Sequence, residues 1–249
     1  MNDYCGLEAR FHDQFWKEEE VDELPLLLEF LKGVSGPVLY PGSGSGRLLS
    51  PLRERGFEVL GIEPSEDMRR LSAKASERVF EGSWEDYSGD PGEAEAVILP
   101  TFTLQLMDRP IGALEKAYQL TGRTGRAYLS LFFPWAELSG ELRAKRWNPD
   151  REMELEGGGK VVLHTYHELD ERRGVLKRRH RYRILDEHGK VIEEQESRQR
   201  IQWFTDLALG KMLKRAGWEV EREVNNFDVN DGGEDGVSVI SLFLRKLSN

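Results

Sequence analysis

The sequence predicts an α/β fold built on a mostly parallel sheet. Three observations carry this. Short apolar runs alternate with helical spacing through much of the chain. One run, Val38-Leu39-Tyr40, enters a glycine-rich turn, Pro41-Gly42-Ser43-Gly44-Ser45-Gly46. A second run ends in an acid, Gly61-Ile62-Glu63-Pro64. A strand, a glycine loop, a helix start and a second strand closing on a carboxylate make the layout of a nucleoside-cofactor site in an open sheet.

The elements follow in order. Leu7 to Leu31 reads as helical, with Leu24, Leu27, Leu28 and Leu31 on one stripe and Pro25 near the start of a second helix, where its fixed φ is tolerated. Phe11, Phe15 and Trp16 form an aromatic cluster upstream; simple packing accounts for Phe11 and Phe15. After the loop, Leu48, Leu49 and Leu52 have helical spacing, and Gly56 stands where a helix ends. Phe57 to Ile62 is the second strand. Ser65 caps a helix to Glu77, with Glu66 and Asp67 at its positive end. Val79–Glu81 and Ala94–Leu99 are the third and fourth strands, Ile111–Leu120 a helix, and Ala127–Phe133 the fifth strand.

From about Arg151 to Phe204 the character changes to charged, alternating, β-rich sequence. Lys160–Leu169, Val175–Leu185 and Lys190–Trp203, separated by turns at 170–174 and 186–189, predict an antiparallel three-stranded insertion over 151–204. Its basic cluster, Lys177-Arg178-Arg179-His180-Arg181, reads as a wet sheet face offset by Glu193, Glu194 and Glu196, with anion binding as the alternative. Thr205 then caps a helix to Ala216, and Trp218–Val224 and Val237–Leu244 are the last strands. The loop between them, 225–236, carries Phe227, Asp228 and Asp231, which read first as plain loop and second as lining a substrate mouth.

The glycine loop narrows the ligand. Gly42, Gly44 and Gly46 allow a sharp turn and a close approach to the backbone. Glu63 is at the right distance to accept from a ribose diol. The dinucleotide fingerprint needs a third glycine where Arg47 stands, so a nicotinamide cofactor is disfavoured, and no GK[ST] phosphate loop is present.

Val38 to Gly46 (VLYPGSGSG) and Glu63-Pro64-Ser65-Glu66-Asp67-Met68 resemble the first two motifs of the class I S-adenosylmethionine-dependent methyltransferases of the small-molecule type. The resemblance extends from the amino-terminal helices to the last strand pair. It implies a Rossmann-like seven-stranded, mostly parallel sheet, order 3-2-1-4-5-7-6, with only strand seven antiparallel, as one methyltransferase domain over 1–249. It implies S-adenosylmethionine as cofactor, bound by Tyr40, Pro41, Gly42, Ser43, Gly44 and Gly46, with Gly42 and Gly44 approaching the methionine part. Glu63 and Pro64 would then stand at the ribose and Met68 near adenine, with Ser83 and Trp84 after the third strand. Pro100 and Thr101 would stand next to the transferred methyl and Gln105 near the cofactor. Residues 1–32 would form a helical lid, with Trp16 as a lid contact. The family usually has acids where Tyr40 and Ser83 stand, so Trp84 stacking on adenine is an alternative anchor. Similar insertions roof a substrate site or make a dimer contact, which implies a homodimer through the β insertion.

Composition bounds the rest. The chain has 249 residues, a formal net charge of −10 and a single cysteine, Cys5. One α/β domain with an insertion is the simplest organisation. The acidic balance argues against a nucleic-acid partner, the lone thiol against a disulfide or a thiolate metal cluster. The absence of a long apolar run argues against a membrane span, and a cytoplasmic location is expected. His164 and His167, three apart on a strand, point to opposite faces and do not share a metal. With His12 they are base candidates by type alone, and no catalytic base or metal is assigned. The expected function is methyl transfer to nitrogen or oxygen of a small molecule. The alternatives are an RNA or protein methyltransferase and a non-catalytic S-adenosylmethionine-binding module.

Overall fold

The computed structural model describes residues 3–17, 22–72, 79–228 and 238–247. The described chain divides into two compact units, one of 1–19 with 134–203 and one of 20–133 with 204–249.

The larger unit is a seven-stranded sheet. Its strands are β1 (Val38–Pro41), β2 (Val59–Glu63), β3 (Val79–Glu81), β4 (Ala94–Leu99), β5 (Thr121–Phe132), β10 (Trp218–Asn225) and β11 (Val239–Lys246). They lie in the order β3-β2-β1-β4-β5-β11-β10. Neighbours from β3 to β5 pair in parallel, and β11 runs antiparallel to both β5 and β10. The last two strands carry the numbers ten and eleven because four others intervene in the chain.

Core residues cover both faces of this sheet, which is why its central strands read as unbroken apolar runs. On one face, Ala113, Leu114, Ala117 and Leu120 of α6 (Pro110–Leu120) and Leu209 and Leu213 of α8 (Asp206–Arg215) pack on Leu39, Val97, Leu99 and Leu129. Spacings of three and four put the α6 residues on one stripe, and Pro110 starts the helix where a missing N–H costs nothing. Thr205 Oγ1 accepts from the Ala208 N–H at 3.3 Å and caps α8, as its sequence predicts. On the other face, Leu26, Leu27 and Phe30 of α2 (Leu24–Phe30) and Leu49 and Leu52 of α3 (Leu49–Glu54) pack on Val38, Val59, Ala96 and Ile98. Leu27 and Leu31 are fully buried, whereas Leu24 and Leu28 are only partly so and Leu26 replaces them.

The smaller unit is an antiparallel sheet of four strands, not the three predicted: β6 (Trp147–Glu154), β7 (Lys160–Asp170), β8 (Val175–Leu185) and β9 (Val191–Gln202), in that order. The extra strand, β6, escapes the sequence pattern because its run of Asn148, Pro149, Asp150, Arg151 and Glu152 is polar. Its register also shifts between Pro149 and Arg151. An edge strand tolerates such a proline and such a bulge. Leu7, Phe11 and Phe15 of α1 (Leu7–Lys17) pack on Val161, Leu163, Tyr182 and Ile184 of this sheet. The helix α7 (Trp135–Leu138) also belongs here. The basic cluster is shared between faces. Arg179 and Arg181 pair with Glu196 and Arg183 pairs with Glu194, while Arg178 reaches Glu137 at 2.7 Å and His180 reaches Glu8 at 3.0 Å.

Ser65 begins α4 (Glu66–Leu71) by accepting the Met68 N–H at 3.2 Å. The expected continuation to Glu77 lies outside the described residues beyond Ser72, and Asp231 lies outside them too. No described helix is long and apolar enough to cross a membrane.

Candidate functional site

The parallel strands bring four segments to one edge of the larger sheet: the loop after β1, the acid ending β2, the turn after β3 and the turn after β4. In open α/β sheets this carboxyl edge is where ligands lie.

The loop is folded onto β2. The Gly42 N–H donates to the Ile62 carbonyl at 2.7 Å and the Ser43 N–H to the same oxygen at 3.2 Å. Gly42 sits at φ +67°, and a Cβ there would come within 2.7 Å of Thr103 Cγ2. Gly61 on β2 has to be bare for a different reason: a Cβ would stand 2.7 Å from Ser43 Oγ and 3.0 Å from Leu49 Cδ2. The loop can therefore lie directly on the strand only because Gly61 has no side chain.

Glu63 ties the loop to the next helix. One carboxylate oxygen accepts the Gly44 N–H at 2.8 Å and the other the Ser65 N–H at 2.8 Å. Glu63 is only 6% exposed. These two backbone donors orient the carboxylate. A Cβ on Gly44 would meet nothing nearer than Met68 Cε at 3.8 Å. The backbone of Gly42 and Gly44 is half-buried, with Thr103 packed at Gly42 and open space at Gly44, which is the kind of cradle an adenosyl cofactor fits.

The other sequence-predicted residues divide. Tyr40 and Pro41 are buried in β1, with the Tyr40 ring in the core against α2 and α3. Ser43 is buried, its hydroxyl without a hydrogen-bond partner. Gly46 is buried, Met68 is buried beside Gly44, and Pro64 is exposed. Ser83 Oγ donates to Asp86 Oδ2 at 2.6 Å, and this bond, with that from the Ser83 N–H, holds the Asp86 carboxyl below its ordinary value. Trp84 is 3% exposed, and its indole N–H donates to the Ala113 carbonyl at 3.2 Å. Its ring is thus committed to the core under α6. Gln105, in α5 (Thr103–Leu106), exchanges hydrogen bonds with the backbone of Phe132 on β5, at 2.9 and 2.6 Å. Trp16 belongs to α1, in the smaller unit, and its side chain is outside the described residues.

The turn after β4 holds the strained backbone of the site. Thr101 and Phe102 both have left-handed φ, +53° and +62°. Each such residue costs about 1–2 kcal/mol, and strain of this kind gathers at functional positions. Glu23, which the sequence reading did not single out, holds the turn. It is 3% exposed and accepts the Thr101 N–H at 3.0 Å and the Thr101 hydroxyl at 3.2 Å. Its other oxygen accepts the Tyr128 hydroxyl at 2.8 Å. Arg47 Nη2 stands 3.5 Å from Thr101 Oγ1. Nothing local marks Glu23, since it ends an acidic run, Glu18-Glu19-Glu20-Val21-Asp22-Glu23, that reads as solvated surface. The one available sign is its place directly before the buried stripe of α2.

His12, His164 and His167 belong to the smaller unit. His167 is 1% exposed and burial lowers its pKa; His164 lies on the opposite face of β7. Among the described residues no group of three or more His, Cys, Asp and Glu could hold a metal ion.

Comparison with known proteins identifies the family. The family model described as methyltransferase domain matches residues 13–223. No curated protein sequence matches the chain. Among solved structures, the chain is similar to an S-adenosylmethionine-dependent methyltransferase from Clostridium acetobutylicum, with TM-score 0.76, 9% identity and coverage of 96% of this chain and 97% of that one. It is also similar to an amino pentose methyltransferase from Micromonospora echinaspora solved with S-adenosylmethionine bound, with TM-score 0.70, 16% identity and 99% of each chain covered. A sugar N-methyltransferase from a Streptoalloteichus species gives TM-score 0.67 at 19% identity, over 93% of this chain and 91% of that one. With its glycine loop and Glu63 in one place and a family match running across most of its length, the chain belongs to the methyltransferase domain family and is an S-adenosylmethionine-dependent enzyme.

Proposed function

We propose that this enzyme methylates a nitrogen or oxygen of a small molecule, and that the edge built on the glycine loop is its cofactor site. The observation that carries the reading is the convergence of Gly44, Glu63 and Ser65 through two hydrogen bonds of 2.8 Å. That convergence supports the loop backbone from Tyr40 to Gly46 at the methionine part, Glu63 and Pro64 at the ribose, and Met68 and Ser83 toward adenine. Trp84 bounds that end from the core rather than by stacking. Pro100 and Thr101 stand at the methyl end, and Gln105 fixes α5 to β5 beneath them. The amino pentose and sugar N-methyltransferases among the structural neighbours support a small acceptor.

The bound cofactor supplies a methyl group already activated on a sulfonium. What remains for the chain is orientation and exclusion of water. A neutral amine needs no base to accept the methyl; a hydroxyl does. Two copies pairing through the inserted sheet is the assembly we favour, because its edge strand β9 exposes Val191 and Ile192.

Isothermal titration with S-adenosylmethionine and S-adenosylhomocysteine tests the site, followed by a panel of amine and hydroxyl acceptors. Binding of both ligands with turnover on an amine or alcohol is expected. Absence of binding at millimolar ligand would overturn the site, and turnover confined to RNA or protein would overturn the acceptor class.

A further inference from the structure

We propose that Glu23 is a charge-responsive positioning residue: it is ionised while a sulfonium occupies the site and takes up a proton once the methyl group has left. This rests on the reading that Thr101 stands at the methyl end.

The geometry sets Glu23 apart from an ordinary structural carboxylate. It occupies the N-cap position of α2 yet makes no capping hydrogen bond; its neighbour Asp22 accepts the Leu24 N–H instead. Its side chain is turned inward to Thr101 and Tyr128, and Tyr128 passes the chain of hydrogen bonds to Ser241 Oγ at 3.1 Å. The Ser130 hydroxyl also bonds to the carboxylate. Tyr128, Ser130 and Ser241 are all buried, so the group sits in a buried polar cluster behind the turn.

Among the described residues, the charged and titratable groups facing it are few. From β5 there is the Tyr128 phenol, held well above its ordinary value by burial and by the Glu23 charge. From the segment after β1 there is Arg47. From the turn after β4 and from β11 there are only hydroxyls. Burial raises the Glu23 carboxyl above its ordinary value, against the pull of the Ser130, Tyr128 and Thr101 hydrogen bonds and the Arg47 charge. A carboxylate so placed changes its proton occupancy when a full positive charge arrives or departs nearby.

The consequence falls on Thr101. While Glu23 is ionised it can only accept, so the Thr101 hydroxyl donates inward and presents its lone pairs outward. Once protonated, Glu23 can donate to Thr101 Oγ1 or to the Tyr128 oxygen, and the outward polarity of the turn is free to reverse. No bond other than the carboxyl O–H is made or broken, and the proton is exchanged with solvent. The turn would thus distinguish the charged substrate form of the cofactor from its neutral product.

The test is calorimetric and needs no acceptor. S-adenosylmethionine and S-adenosylhomocysteine are titrated into the full chain in buffers of low and high ionisation enthalpy, from weakly acidic to weakly alkaline pH, and the protons exchanged per binding event are counted. The wild type should release a fraction of a proton with S-adenosylmethionine that it does not release with S-adenosylhomocysteine. In Glu23→Gln both ligands should still bind, and this excess should fall to what the ligands themselves contribute. The ligands' own amino groups titrate alike in both proteins and cancel in the subtraction. Should Glu23→Gln fail to fold, Tyr128→Phe, which removes one donor to the carboxylate, should move the excess to higher pH. An excess of the same size in the wild type and in Glu23→Gln would overturn the proposal. Failure of either ligand to bind would overturn the cofactor site itself, and the role of Glu23 with it.

Discussion

Glu63→Ala removes the acceptor that joins the glycine loop to α4, leaving the Gly44 and Ser65 N–H groups without their carboxylate. We expect S-adenosylmethionine to bind more weakly by about 1–3 kcal/mol, the cost of a lost charge-assisted hydrogen bond. Unchanged affinity by calorimetry would mean that the ribose lies elsewhere. Two glycines of the loop should separate stability from binding. At Gly42 an added Cβ would strike Thr103, so Gly42→Ala should lower folding stability by about 1–2 kcal/mol or more. At Gly44 the space is open apart from Met68 Cε. Gly44→Ala should carry only the backbone strain in the folded protein, yet weaken cofactor binding by at least the amount seen for Gly42→Ala. Urea denaturation and ligand titration on both variants check this, and a larger binding loss in Gly42→Ala would contradict it. These positions are legible in sequence because a backbone requirement, positive φ or close approach, permits one residue type. The commitments of Trp84 to Ala113 and of Gln105 to Phe132 are not legible, since each depends on a partner at least 27 residues away.

Among the elements, strands β3 and β4 stand where the apolar runs put them, and β6 does not, because an edge strand needs no apolar pattern to pair. That α1 packs through its aromatics was legible, but not that its partner is the inserted sheet. Phe11 and Phe15 announce the apolar contact, whereas Glu8 looks like a favourable charge in a first helical turn. In the structure Glu8 is buried, accepting from Ser197 Oγ, bonded to His180 Nδ1 at 3.0 Å and accepting from Gln199 Nε2 at 3.3 Å. Burial alone would raise its carboxyl, but the His180 charge, the His180 and Ser197 hydrogen bonds and the His12 charge together hold it below its ordinary value. A carboxyl lowered on folding adds stability above the ordinary value of 4.5, and that stability is lost as pH falls through the lowered one. Glu8→Gln should therefore cost about 1–3 kcal/mol at neutral pH, and the gap from wild type should close on acidification. Denaturant titrations over a pH series measure it; a gap that widens toward acid would reverse the sign assigned to Glu8.

At the scale of the whole molecule, the ligand edge and the inserted sheet belong to different compact units, although each unit is assembled from two separate stretches of chain. The order of the larger sheet came from the resemblance carried by the glycine loop and the Glu63 motif, since the succession of strands does not by itself say that the sheet reverses direction between β1 and β4. The extent of the smaller unit was not legible, since its first residues, 1–19, lie more than a hundred positions from the strands they join. A ligand that binds only the folded state adds RT ln(1 + [L]/Kd), about 2.7 kcal/mol at a hundredfold excess over Kd. For a chain of this size that corresponds to a rise in Tm of roughly 5–10 °C. The glycine loop, Glu63 and the strained turn all lie in the unit of 20–133 and 204–249, so the added stability enters there. If the two units melt separately in calorimetry, the transition of that unit should rise with S-adenosylmethionine and the other should stay; if they melt together, the single transition should rise as a whole. A shift confined to the transition of the inserted sheet, identified by its response to Glu8→Gln, would put the ligand on the wrong unit and sink the assignment of the site.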